Sequence, residues 1–185
     1  MVADASVRAA GPDDVTAIAR VQAAAWQADY AGLLPADVLA DLDSPAAQEQ
    51  WRRAVTDPPT PRHRVLVALT GTGIVGFAAF GPSADPDLGA SLEAEVAALC
   101  VTPQHTGAGH GSRLVNATVD HLRGDGFLHA SVWLAATGAG DDRLHRFLTD
   151  AGWAEDGAHR ALDLYGDASL VVPQVRLRAA IGPEA

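Results

Sequence analysis

The sequence predicts a single-domain α/β fold, and three observations carry that prediction. Strand-length apolar runs alternate with amphipathic helical stretches in the order β-α-α-β-β-β-α-β-α-β-β. One of those transitions, residues 95–113, runs from strand through a glycine-rich turn into a helix start without interruption. The 185 residues, 48% hydrophobic and 19% charged, suit one domain with a sizeable core, and no repeat, low-complexity tract or linker divides residues 1–185.

Taken in order, residues 6–10 read as a first strand. Gly11-Pro12-Asp13-Asp14 then supplies a turn and an N-cap. The helix that follows, about residues 14–30, sets Val15, Ile18, Ala19, Gln22, Trp26 and Tyr30 near one face. Gly32 ends it, and Leu33-Leu34-Pro35 opens a second helical piece to about Leu42. Ser44-Pro45 starts a third: the serine oxygen can cap, and proline's missing N–H costs nothing at the first helical position. That piece carries Trp51 and stops before Asp57-Pro58-Pro59. Residues 64–69 and 74–80 form a hairpin about Thr70-Gly71-Thr72-Gly73, and residues 81–91 are a loop rich in Pro, Gly and Asp. Beyond the central turn and helix, residues 127–136 read as a strand and 141–151 as a short helix with Leu144, Phe147 and Leu148 on its apolar face. Residues 159–165 and 174–181 are the last strands.

The central stretch carries the chemistry. Residues 95–101 (EVAALCV) are apolar and free of Gly and Pro, and Thr102-Pro103 ends the strand because proline donates nothing to a sheet ladder. Residues 104–111 (QHTGAGHG) then turn into a helix whose face is Leu114, Val115, Thr118, Val119 and Leu122. A helix start exposes backbone N–H groups without intrahelical partners, and the macrodipole adds about half a positive charge there. Glycines let the backbone approach an anion closely, so the arrangement is built for phosphate. A nucleotide P-loop needs a lysine, and the chain contains none. A dinucleotide fingerprint needs G-x-G-x-x-G near an early strand; here Gly107, Gly109 and Gly111 give G-x-G-x-G past the middle of the chain.

The pattern Gln104-x-x-Gly107-x-Gly109, placed between an apolar strand and a helix with Glu95 six residues before the strand-ending Val101, resembles the coenzyme A motif Q/R-x-x-G-x-G/A of the GNAT superfamily of N-acetyltransferases. Trp26-Gln27-Ala28-Asp29-Tyr30-Ala31-Gly32-Leu33-Leu34-Pro35 is similar to the W-x-x-x-Y-x-G-L-L-P of many first-helix regions in that family, and Val172-Pro173-Gln174-Val175-Arg176-Leu177-Arg178 to its last strand. The element order matches over nearly the whole chain. The resemblance implies a mixed sheet of about seven strands flanked by helices, with a central strand splayed from its parallel neighbour to form an acyl-CoA wedge. It implies acetyl-CoA as acyl donor, with the backbone of Leu99, Cys100 and Val101 along the pantetheine arm. A free N–H near Leu99 or Cys100 would then polarise the thioester carbonyl. Gln104 and the amides of Thr106, Gly107, Ala108, Gly109, His110 and Gly111, with the Ser112 hydroxyl, would hold the pyrophosphate. Trp26 and Tyr30 would overhang the acceptor, although both rings also suit a core.

Glu95 is the expected base: a carboxylate at a strand start facing a cleft can deprotonate an ammonium, through a water, if burial raises its pKa. Glu93, two residues earlier on the same face, is the runner-up. The chain departs from the family in the helix of residues 141–151, where Asp141 replaces the usual Asn and Leu148 stands where a tyrosine general acid is common. Transfer survives that loss in principle, because a thiol with a pKa near ~8.5 leaves as thiolate.

Composition bounds the rest. A net charge of −10 argues against nucleic acid and is compatible with a cationic amine. The lone Cys100 rules out an internal disulfide and, inside a strand, reads as a buried inert thiol. No secretory signal or membrane-length apolar run is present, so the expectation is a cytoplasmic protein without a membrane partner, with room for a homodimer. His105 and His110 lack the carboxylate or cysteine partners of a metal site, and no metal is expected; there is no G-x-S-x-G elbow either. Two functions remain. One is acetyl transfer to a primary amine of a small molecule or peptide. The other, motivated by Leu148 and Asp141, is a non-catalytic acyl-CoA-binding module or sensor.

Overall fold

The structure is a computed structural model that describes residues 6–71, 73–85, 88–89, 91–136 and 143–182. Its strands are β1 (Ser6–Ala9), β2 (Arg64–Thr70), β3 (Gly73–Pro82), β4 (Glu93–Val101), β5 (His129–Ala135), β6 (Ala154–Asp163) and β7 (Val171–Ala180). The helices are α1 (Val15–Tyr30), α2 (Ala36–Asp41), α3 (Pro45–Thr56), α4 (His110–Gly124) and α5 (Arg143–Asp150). The strands form one sheet in the order β1-β2-β3-β4-β5-β7-β6. Every neighbouring pair is antiparallel except β4 and β5, whose parallel pairing requires a crossover, supplied by α4. The expected mixed seven-stranded sheet is therefore the observed one.

Helices cover both faces. On one, α4 and α5 bury Leu114, Leu122 and Leu148 against Leu66, Ala78, Phe80, Val96 and Leu177. On the other, α1 and α3 cover Val65, Val67, Phe77 and Cys100, with Ile18 and Val21 inserted from α1. A smaller cluster joins Leu34 and Leu39 to Val172 under the end of α1. The third helix starts as its sequence dictates: Ser44 Oγ accepts the Ala47 N–H at 3.2 Å, with Pro45 next in line. Asp14 departs from expectation. Its carboxylate turns back to accept from the Gly11 N–H at 2.7 Å and from Arg8 at 2.6 and 2.9 Å, and so braces the preceding turn rather than capping α1. The edge strand β6 also begins earlier than residue 159, because it is exposed along nearly its whole length and has no apolar alternation to announce it.

Two features of β4 position the site. It pairs with β5 only through Glu93, Ala94 and Glu95, after which the two strands separate. The register between β3 and β4 also slips, with Ala79 opposite Ala98 but Phe80 opposite Val96, so Ala97 is an extra residue: a β-bulge. A bulge reverses the alternation of side chains. Ala94 and Val96 face α4 before it, Leu99 and Val101 after it, while Cys100 turns toward α1. Glu95 and Ala97 consequently share the face that looks toward the end of α1 and the Leu33-Leu34 segment after it.

Candidate active site

Separation of β4 from β5 leaves an edge of each strand without a strand partner, residues 96–101 on one and 132–135 on the other. Backbone N–H and C=O groups on such edges need a partner from outside the sheet. Between them lies a cavity of about 350 Å³. Its walls are Leu99, Cys100 and Val101 from β4, Val132, Trp133 and Leu134 from β5, and Trp26 and Tyr30 from the end of α1. One end is closed by the turn into α4, with Thr106, Gly107, Gly109, Gly111 and Ser112 on its surface.

That turn has the geometry an anion needs. Gly107 and Gly109 have φ values of 75° and 80°, the left-handed region that favours glycine, and Gly109 is the residue at which α4 begins. Gly111 packs against the α5 ring of Phe147, where an added Cβ would meet Cζ at 3.4 Å. The amides at the start of a helix of this length carry the positive end of its dipole toward the cavity. Two arginines stand nearby: Arg143 lines the cavity, and Arg113 reaches back to donate to the Ala108 carbonyl at 3.2 Å.

A second chamber of about 180 Å³ adjoins the first. Trp26, Tyr30, Ala97 and Trp133 line both, so the two meet at the bulge. Glu95 belongs to the second chamber, with Leu33, Leu34, Leu162, Leu164 and Val172 as apolar wall and Arg160 and Gln174 as polar companions. Burial raises the Glu95 pKa above the ordinary carboxylate range; Arg160 and Arg176 oppose that rise and Asp85 adds to it. Glu93 is committed elsewhere: Arg178 Nη2 donates to its Oε1 at 2.5 Å, and its residue pairs with His129 in the short β4–β5 ladder.

Among the sequence-derived candidates, Glu95, Leu99, Cys100, Val101, Thr106, Gly107, Gly109, Gly111, Ser112, Trp26 and Tyr30 all fall on these two chambers. Gln104 and Ala108 are exposed on the turn and outside the cavity lining, and the His110 ring is buried behind it, 6.1 Å from His105. Burial, reinforced by Arg113 and His105, lowers the His110 pKa below the ordinary imidazole value. Asp141 lies outside the described residues. The Cys100 thiol is buried, which pushes its pKa up to about 12 despite a side-chain hydrogen bond from Trp26, and this removes it as a nucleophile at neutral pH. Leu148 is 2% exposed and packs in the core, while the α5 side chains on the cavity are Arg143, Leu144 and Phe147.

Sequence reasoning missed Trp133, Arg143, Phe147 and Arg160. Trp133 and Phe147 looked like ordinary apolar positions of their strand and helix. Arg160 reaches the site only through the pairing of β6 with β7, where it stands opposite Gln174.

Comparisons with known proteins identify the family and the fold. A model of the acetyltransferase (GNAT) family matches residues 24–153. An uncharacterised N-acetyltransferase of Bacillus subtilis (strain 168), YuaI, is 28% identical over 130 residues, 70% of each chain. The paia N-acetyltransferase of Thermoplasma acidophilum, solved in complex with coenzyme A, superposes with a TM-score of 0.72 at 14% identity, over 96% of this chain and 99% of the other. The protein yncA of Salmonella typhimurium, solved with its cofactor acetyl-CoA, gives 0.62 at 22% identity over 98% and 96%. At those identities the structural likeness is one of fold.

Proposed function

The chain belongs to the acetyltransferase (GNAT) family, and from that premise we propose that it moves an acetyl group from acetyl-CoA to a primary amine of a small molecule or peptide, both bound at once. The observation that carries this reading is the junction of the two chambers, with the glycine turn into α4 at the far end of one and a half-buried carboxylate in the other. The residues present fit coenzyme A. The α4 amides and the Ser112 hydroxyl suit a pyrophosphate, and the unpaired β4 edge over residues 96–101 suits the amide-bearing pantetheine arm.

Bound there, acetyl-CoA supplies a thioester whose thiol, with an ordinary pKa near ~8.5, is a competent leaving group without an obligatory acid. Glu95 accepts the proton that an incoming ammonium must lose before its nitrogen can attack. Its raised pKa suits that task, since a base held above the ordinary carboxylate range takes the proton more readily. Backbone N–H groups at the bulge and along the unpaired edge, about Leu99 and Cys100, are the donors available to the acyl oxygen. Trp26, Tyr30 and Trp133 surround the junction.

The competing reading is an acyl-CoA-binding module without turnover. It draws on α5, which turns Leu144 and Phe147 toward the donor cavity and buries Leu148. Initial rates measured while acetyl-CoA and a primary amine are both varied separate the two. A transferase gives thiol release that depends on the amine, with the intersecting pattern of a ternary complex. Tight acetyl-CoA binding with no amine-dependent release would leave only the module.

A further inference from the structure

The acceptor chamber holds one carboxylate and one guanidinium that do not pair with each other. Arg160 and Glu95 both line it, close enough for Arg160 to lower the Glu95 pKa, yet no ion pair joins them among the described residues. The other arginines beside this end of the sheet are already neutralised. Arg176 holds Asp85 at 2.6 Å and Asp156 at 2.8 Å, and Arg178 holds Glu93. Arg160 is held by neutral groups instead: its Nε donates to Gln174 Oε1 at 2.7 Å, and its guanidinium lies over the Trp133 ring, 4.3 Å from the centroid. That arrangement orients the guanidinium, whose two terminal nitrogens face solvent without a protein partner among the described residues. An oriented, unneutralised fork is the side chain suited to a carboxylate, which it binds through two parallel hydrogen bonds.

We propose that the acceptor is a zwitterionic amino acid with an apolar side chain, its ammonium directed to Glu95, its carboxylate to Arg160, and its side chain among Leu33, Leu34, Leu162 and Val172. This rests on the amine-acetylating reading above and narrows it. The size of the chamber agrees: about 180 Å³ falls below the ~300–1,000 Å³ of pockets that enclose drug-sized ligands. So does its lining, apolar on one wall with a partly buried Glu95 and an exposed Arg160 beside it. A simple amine would leave Arg160 hydrated and unused, and a simple acid would set its carboxylate against Glu95.

The test is calorimetric binding to the full chain, with and without coenzyme A, of L-leucine and its two truncations: 3-methylbutylamine, which lacks the carboxylate, and 4-methylpentanoate, which lacks the amine. Matching series are built on methionine and phenylalanine. Glu95 is partly buried, so loss of the ammonium is expected to weaken binding on the order of ten- to a hundredfold, whereas Arg160 is exposed and loss of the carboxylate is expected to weaken it about two- to fivefold. Arg160→Gln should erase the preference for the amino acid over the amine and retain the preference over the acid, while Arg160→Lys keeps part of the first. Amines that bind as tightly as their parent amino acids in all three series overturn the proposal, as does an Arg160→Gln protein that still prefers the carboxylate. Because these measurements read binding, they stand apart from acetyl transfer. Failure of coenzyme A to bind would count against the transferase reading, and the series without coenzyme A would still decide this one.

Discussion

Gly109 is where fold and function make separable demands on one residue. Its φ of 80° and ψ of 6° lie in the left-handed region, which an L side chain enters at a cost of about 1–2 kcal/mol. Space adds little: a built Cβ would stand 3.3 Å from Arg113 Nη1, the tip of a flexible exposed side chain. Gly109→Ala should therefore cost about 1–2 kcal/mol, a fall in Tm of roughly 2–8 °C for a chain of this size. Asn and Asp tolerate this backbone better than most residues and differ from each other by a single charge. Two unit charges 4 Å apart repel by ~1 kcal/mol in water and ~4 kcal/mol at an effective dielectric of 20. Gly109 is exposed, so the lower figure is the safer guide, and Gly109→Asp should bind coenzyme A at least about fivefold more weakly than Gly109→Asn. Calorimetric titration at low and high salt measures the gap, which should narrow as salt rises. Equal affinities for the Asp and Asn proteins at low salt would refute an anion seat at this turn.

Three further outcomes are expected. Glu95→Gln should lower the rate with a cationic amine by roughly 10²-fold or more at neutral pH, by a margin that shrinks in alkali where the amine arrives deprotonated. The wild-type kcat/KM profile should rise with pH through a pKa above the ordinary carboxylate range, because burial raises that of Glu95. Asp125 is held below its ordinary pKa chiefly by hydrogen bonding to Arg64, whose Nη2 donates to Oδ1 at 3.1 Å. Its contribution is thus present at neutral pH and lost as pH falls through its folded pKa. Asp125→Asn should cost about 1–2 kcal/mol in denaturant melts at neutral pH, with no deficit left in strong acid. Thr118, 2% exposed, buries a hydroxyl without a partner among the described residues, so Thr118→Val should raise stability by about 1 kcal/mol. A drop in Tm would show that the hydroxyl is satisfied.

The central strand, its turn and α4 were legible because local chemistry dictates them: an uninterrupted apolar run, a proline stop, glycines at positions of positive φ, and a 3.6-residue apolar stripe. Ser44-Pro45 was legible for the same reason. What escaped was set by pairing between distant segments. The extra residue at Ala97 shows no local signature, yet it decides which β4 side chains face α1 and which face α4. Spacing alone ranks Glu95 above Glu93 in the sequence, and the physical difference between them, Arg178 beside Glu93 and an apolar chamber beside Glu95, is visible only in the fold. Leu148, read as part of an apolar helix face, does belong to the core, but Phe147 of the same face takes the cavity wall. Arg160 and Trp133 meet only because β6 and β5 both pair with β7, a relation no local pattern records.

The most direct test of the central claim is mass spectrometry of the products after incubation of the full chain with acetyl-CoA and a panel of primary amines. The account predicts one N-acetylated amine for each coenzyme A thiol released, formed at the wild-type rate only when Glu95 is intact. Thiol released without acetylated amine, or acetyl found on the protein and never on an amine, would contradict it.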